Sequence, residues 1–392
     1  MDRRIVALAL ASFAMATETY VYAGHLAVLA ADLGVTVAAA GQLAAAFAIV
    51  YALTAPFTAG LTASLDRRRV LVVGLLLLGV LNAAAALAPD YGSLILVRVL
   101  CGLAAGAVGP AASAAAAALA APERRGKAMA VVLAGTTVAF VLGIPLGSVV
   151  GELFGWRATF LFSGILAFGA AVLIRFVLPP LPGGDRVGLR PLLIVRRPAV
   201  LKPLAFTLAG FAATFSVIAY IGPVATRIAG LEGAGVGAMQ ALIGVGSILG
   251  IVAGGALADR ADTARFMVLS FLLSAAALGG YSALLAAPPN LPWVATGLLS
   301  LAMVAGASAL FARTPVIQAG LVAAAPEARS VALALNGSVM FIGQGIGAAL
   351  GGAVMVAGGI AWIGAAGAVL ALIGAWLAMA PRAARAVPQP AE

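Results

Sequence analysis

The chain is expected to fold as an all-α membrane protein, with twelve transmembrane helices in two pseudo-symmetric six-helix bundles. Three observations carry that expectation. Of the 392 residues, 64% are hydrophobic and only 9% charged, with a mean hydropathy of +1.14; soluble domains run at about 25% charged residues. A spanning helix needs roughly 20 apolar residues, and the sequence divides into about a dozen such stretches. A short polar phrase is also spoken twice: Pro122-Glu123-Arg124-Arg125-Gly126-Lys127-Ala128 is echoed by Pro326-Glu327-Ala328-Arg329-Ser330-Val331-Ala332, at an offset of 204 residues. A looser echo pairs the stretch from Gly60 with the stretch from Gly255. Two halves with matching punctuation imply a duplicated bundle.

The apolar segments lie near 5–31, 36–63, 70–88, 93–120, 128–152, 158–178, 199–226, 235–258, 264–287, 292–312, 331–357 and 360–380. Turn signals such as Ala88-Pro89-Asp90, Pro179-Pro180 and Pro288-Pro289-Asn290 separate them. Gly and Ala crowd the segments, as helices that approach closely in a membrane require. Residues 1–178 form the first bundle, 179–198 a basic linker, 199–380 the second bundle and 381–392 a tail. The apolar stretch that follows Arg3-Arg4 runs past Glu18 to Ala31. That is too long for a signal-peptide core, so it is taken as an uncleaved first span.

The net charge of +10 does not point to nucleic acid, because the basic residues sit singly or in threes between apolar runs. They report orientation instead. With the N-terminus in the cytoplasm, the inner loops collect nearly all the Lys and Arg, while the outer loops carry Arg157 and Arg227. Both termini are then cytoplasmic. The single cysteine, Cys101, excludes an internal disulfide framework and reads as a small packing residue. No P-loop and no metal or nucleophile cluster is present. Neither an enzyme nor a bound cofactor is therefore expected, and uphill transport has to run on a gradient.

Glu18 lies roughly 20 Å into the membrane, where an ionisable group is costly and points to function. It is the leading candidate for proton coupling, with a structural pin as the other reading. Arg98, about seven residues into the fourth span, needs an acceptor. Helix rise places it about 10 Å from Glu18 in depth, so direct pairing requires tilt and long side chains, or water. His25 is the sole histidine; it is either a proton relay or simply hydrogen-bonded near the interface. Tyr22 shares a helix face with Glu18. With Gln42, Phe140, Tyr220, Asn336 and Gln344 it makes a set able to line an apolar pocket with a few polar groups, although packing explains the aromatic residues equally well. Arg313, before Pro315, is expected to snorkel to the inner interface. The loop charges Asp66, Arg67, Arg68, Arg125, Asp259, Arg260 and Arg329 are candidates for an inner gate, or serve only to set topology.

Several motifs point to one family. Thr17-Glu18 stands in the first span. Gly255, Leu257, Asp259 and Arg260 follow the eighth, while in the first half Ser64 occupies the position of that acid and Asp66-Arg67-Arg68-Arg69 keeps the charges. Leu94, Arg98 and Gly102 mark the fourth span, Gly143-Ile144-Pro145-Leu146-Gly147 the fifth, and Gly155-Trp156-Arg157 follows. In this layout the chain resembles the major facilitator superfamily, in particular its twelve-span drug:proton antiporter branch with the bacterial chloramphenicol-efflux and sugar-efflux permeases. The resemblance implies a monomeric multi-pass protein of the bacterial inner membrane. It would export a small organic molecule by proton antiport and alternating access, with protons and membrane lipids as its other partners. The alternatives are a sugar or nucleoside efflux permease and, from another class, a membrane sensor or scaffold.

Overall fold

A computed structural model describes residues 2–121, 124–183, 190–257 and 263–379. Twelve helices among them are long and apolar enough to cross a membrane. We label these α1 (Arg3–Asp32), α2 (Val37–Thr62), α3 (Arg67–Ala86), α4 (Tyr91–Leu119), α5 (Arg125–Phe154), α6 (Trp156–Val177), α7 (Pro198–Ile218), α8 (Gly233–Ala256), α9 (Thr263–Ala286), α10 (Pro292–Ala324), α11 (Val331–Gly358) and α12 (Ile360–Met379). Side-chain caps start several of them. Asp2, Thr36, Asp66 and Asp90 each accept a backbone N–H of the first turn, and Asp90 closes a capping box with Ser93. Helices α1–α6 pack as one bundle and α7–α12 as another, while α2 meets α11 and α5 meets α8 across the gap. Exposed side chains such as Val73, Phe168, Phe176 and Val252 give the outward faces an apolar coat suited to lipid.

Two of the expected spans are not continuous. α1 breaks after Tyr20 and resumes through a short turn, Ala23–His25, into a second piece, Leu26–Asp32. The expected seventh span, 199–226, is likewise split between Pro198–Ile218 and Ile221–Ala229. Apolarity runs straight through both breaks, which is why hydropathy does not register them. The residues that open the second pieces, His25 and Tyr220, have nearly the same backbone angles (φ −113°, ψ 21° and φ −115°, ψ 21°). They are 195 residues apart, the spacing of the looser sequence echo.

The stronger echo has its own physical content. α5 lies against α1 through Gly143 and Gly147, and α11 lies against α7 through Gly347 and Gly351, each pair 204 residues apart. A Cβ at Gly143 would stand 2.0 Å from Thr17 Oγ1, and one at Gly347 would stand 2.5 Å from the Ala212 carbonyl. Both helix pairs therefore depend on small residues at four-residue spacing. A π-helical turn, Ala139–Gly143, interrupts α5 where it faces the other bundle.

The ends of the molecule differ in how the bundles meet. One end, here the basic end, carries Arg3, Arg67–Arg69, Arg125 and Arg329. Toward the opposite end, the apolar core of the first bundle is continuous with that of the second. Toward the basic end, the first bundle has a separate core, to which the second half contributes Phe341, with Met340 and Ile342 packed against it, among the described residues. Among the described residues, the bundles thus share a core toward the opposite end and keep largely separate cores toward the basic end.

Candidate functional site

The first site lies inside the first bundle. Glu18 and Arg98 are 1% and 0% exposed, and Arg98 Nη1 donates to Glu18 Oε1 at 3.3 Å. Arg98 Nη2 reaches the Thr19 carbonyl at 3.5 Å. The guanidinium lies over two rings, with the Phe47 centroid at 4.6 Å and that of Tyr22 at 5.4 Å. The direct ion pair is the arrangement that the depth argument allowed through tilt and long side chains, without an intervening water. The helix is continuous from Arg3 to Tyr20, so the depth of Glu18 stands, and it is the long Arg98 side chain that reaches it.

Asn82 of α3 and Cys101 of α4 flank the carboxylate. Asn82 Nδ2 donates to the Leu78 carbonyl at 2.9 Å. Its Oδ1, together with Arg98 Nε and the Tyr22 hydroxyl, is buried without a hydrogen-bond partner. The pair therefore sits beside buried donors and acceptors that have no partner of their own.

The second site is the cleft between the bundles. Residues of α1 alternate between the two sites: Glu18 and Tyr22 face the bundle interior, while the Tyr20 hydroxyl donates across the cleft to Gln344 Oε1 at 3.2 Å. Tyr20 also meets Phe215, its equivalent at the 195-residue spacing, with ring centroids 5.2 Å apart. Phe215, Phe211, Phe311 and Phe140 continue the contact, each centroid about 6 Å from the next. A small cavity beside them is lined by Tyr20, Phe140, Ile144, Ile218 and Gln240. The cleft is thus apolar and aromatic, with Tyr20, Gln240 and Gln344 as polar points.

The other candidates are distributed. Gln42 and Tyr220 meet in the shared core between the bundles, here called the seal: the Tyr220 hydroxyl accepts from Gln42 Nε2 at 3.3 Å and donates to the Ala348 carbonyl at 2.8 Å. Asn336 accepts from Thr207 Oγ1 at 2.6 Å within the second bundle. His25 packs against Gly151 of α5, and its Nδ1 has no partner. Among the loop charges, Asp66 caps its own helix, while Arg67 and Arg68 donate to the carbonyls of Ala114 and Leu178 in their own bundle. Arg125 and Arg329 are exposed. Asp259 and Arg260 lie outside the described residues.

Arg313 does not snorkel. α10 continues through Pro315 to Ala324, which leaves Arg313 about 16 Å from the helix end at 1.5 Å per residue, too far for its side chain to reach the interface. The sequence reading also passed over the Ser148–Gln240 hydrogen bond at 2.6 Å and the contact of Glu152 Oε2 with the Ala234 N–H at 2.6 Å, both in the seal. Lone polar residues such as Asn82 and Gln240 in apolar helices are the signal that marks such places.

Twelve candidate spans in two bundles with matching helix breaks make this a multi-pass membrane protein. Residues 8–314 match the model of the Major Facilitator Superfamily, and the chain belongs to that family. It is 30% identical over 381 residues to the MFS-type transporter YbcL of Bacillus subtilis, covering 95% of each chain. It is 32% identical over 371 residues to the inner membrane transport protein YdhP of Escherichia coli K12, covering 94% of this chain and 92% of that one. A chloramphenicol resistance protein of Streptomyces lividans is 36% identical over 261 residues, or 64% of this chain and 66% of that one. The fold matches a crystal structure of a bacterial homolog to the human lysosomal transporter Spinster, in its inward-facing and unoccupied conformation. The TM-score is 0.75 and the identity 18%, covering 96% of this chain and 95% of that one. The protein is a multi-pass membrane transporter and not an enzyme.

Proposed function

We propose that the protein exports a small drug-like organic molecule in exchange for protons, from a bacterial inner membrane, as a monomer with both termini cytoplasmic. In this reading, residues 1–178 couple to the proton through Glu18 and Arg98, and residues 199–380 supply most of the aromatic wall that receives the ligand. The two are joined by the linker 179–198, and residues 381–392 form the cytoplasmic tail. The buried Glu18–Arg98 pair carries the proposal. A proton delivered to Glu18 removes the negative charge that holds Arg98 and frees the guanidinium toward Asn82, Thr19 and the Tyr22 hydroxyl. Tyr20, two residues along α1, bonds Gln344 of the other bundle, so a shift of α1 is felt at the cleft. Protonation on the outer side and release on the inner side then bias the rocking of the bundles. The drug-like class is supported by the apolar, aromatic cleft and by the name of the Streptomyces relative.

The test is purified protein in proteoliposomes with an imposed pH gradient and a ligand panel that includes chloramphenicol. Wild-type protein is expected to move ligand uphill and to carry protons the other way, as read by a lumenal pH dye. Glu18→Gln is expected to keep ligand counterflow and lose the pH-driven component. Uphill transport that survives in Glu18→Gln would remove Glu18 from the coupling step.

A further inference from the structure

The spans hold few deep charges, and those few are turned away from the cleft. Among the described residues, only Glu18, Arg98 and Arg313 lie at least seven residues from either end of a spanning helix. All three are buried, at 1%, 0% and 1% exposed. Glu18 and Arg98 hold each other beside Asn82 of α3, a helix that packs chiefly on α4 and α6 of its own bundle. Arg313 donates to Ser274 Oγ of α9 at 3.1 Å and lies over the Phe271 ring of the same helix. That helix packs chiefly on α10 and α12, again within its own bundle.

Neutral groups wall the cleft instead: the run of aromatic rings from Tyr20 to Phe140 and the amides of Gln240 and Gln344. An ion drawn from water against such a wall loses hydration that no fixed counter-charge replaces. An uncharged aromatic molecule loses far less and gains ring contacts. The amides add a preference of their own. Gln240 Oε1 accepts from Ser148 Oγ at 2.6 Å, and Gln344 Oε1 accepts from the Tyr20 hydroxyl at 3.2 Å. With both oxygens engaged, the amide nitrogens are the groups that bond a ligand, and they bond it as donors.

We propose that the cleft selects aromatic molecules that carry no formal charge and present a carbonyl or hydroxyl acceptor to Gln240 and Gln344, and that it discriminates against aromatic cations and anions. This ligand class deepens the export reading above, and one consequence rests on that reading. If each uncharged ligand leaves in exchange for a proton, every exchange carries net positive charge inward. Membrane potential alone then drives export, with no pH difference needed.

The test uses the full chain and one aryl scaffold in three forms, a carboxamide, a quaternary ammonium and a carboxylate, with chloramphenicol as a second uncharged probe. In detergent, the carboxamide and chloramphenicol are expected to raise the thermal midpoint saturably. The two charged forms should need at least about tenfold higher concentration for the same rise. Gln344→Glu keeps an acceptor for Tyr20 and is expected to narrow that gap for the quaternary ammonium alone. In proteoliposomes at equal pH, a lumen-positive potassium potential set with valinomycin is expected to draw chloramphenicol into the lumen, up to a limit of about 50-fold at about 100 mV. Equal stabilisation by a charged form and its carboxamide, or none by either uncharged probe, would overturn the proposal. Selective binding of the uncharged probes with no response to potential would uphold the ligand class and remove proton exchange instead.

Discussion

The two bundles share a backbone plan but treat buried charge differently. In the first, Arg98 faces Glu18 at 3.3 Å; in the second, the position 195 residues after Glu18 is Ala213, and Arg313, on another helix, bonds the neutral hydroxyl of Ser274. The break residues diverge too. His25 turns into its own bundle against Gly151, whereas Tyr220 crosses to the other bundle between Gly41 and Gly352. Duplication fixed where the helices break and cross, because backbone packing cannot tolerate change there. It left the side chains at those places free to specialise, one half for an internal ion pair and the other for sealing the cleft.

The sharpest way to break the comparison is to remove one partner of the first pair. Glu18→Leu strands Arg98 in the bundle and is expected to cost about 3–5 kcal/mol, read as a large fall in thermal midpoint. The double variant Glu18→Leu/Arg98→Met should recover most of that stability, since a buried pair replaced by apolar groups is often close to neutral. It should not recover pH-driven transport. If the single and double variants are equally unstable, the contact at 3.3 Å contributes packing and not charge. Arg98→Lys is a smaller change of the same kind. A point charge cannot hold Glu18 and the Thr19 carbonyl with two nitrogens, and a loss of about 1–2 kcal/mol is expected.

A third change acts where the halves meet. A Cβ at Gly41 would stand 2.2 Å from the Tyr220 ring, so Gly41→Ala must push Tyr220 out of its seat. Overpacking of this kind costs about 1–3 kcal/mol, and only the sealed state incurs it. The variant is expected to let a thiol reagent added at the sealed end reach a cysteine placed at Gln240, which wild-type packing protects. His25→Ala, the matching change in the first half, should leave that protection intact, because the His25 ring packs against Gly151 of its own bundle. Equal labelling of both variants would mean the two break residues do the same work.

The sequence made the number and order of spans legible because twelve apolar runs and a repeated polar phrase depend only on composition and spacing. Glu18 and Arg98 stood out for the same reason, as charges in apolar surroundings. Their pairing did not, since it depends on how α1 and α4 pack and on how far the Arg98 side chain extends, neither of which a hydropathy profile carries. Tyr220 and Gln42 read as pocket residues because aromatic and amide side chains look alike in a seal and in a cleft; only the glycines around them, far away in sequence, distinguish the two. Arg313 was misplaced because Pro315 was taken as a helix stop, whereas within a bundle neighbouring helices let a helix continue through proline.

The smallest expected effect concerns the polar phrase itself. In the second copy, Glu327 pairs with Arg197 at the end of the linker, a tie between loops of one half. The described residues give the first half no matching ion pair at its basic end. The backbone amide of Glu327 and then the Arg197 guanidinium hold that carboxyl below its usual range. A depressed carboxylate contributes stability above its unfolded value, about 4.5, and loses it as pH falls toward the folded value. Both side chains are about half exposed, at 52% and 53%, so solvent and salt screen the pair. Glu327→Gln is therefore expected to leave the thermal midpoint at pH 7 within about 1 °C of wild type and to flatten a slight decline below pH 5. A large loss at neutral pH would show that the linker is clamped to the second bundle through this contact and that the basic end is held more tightly than its separate cores imply.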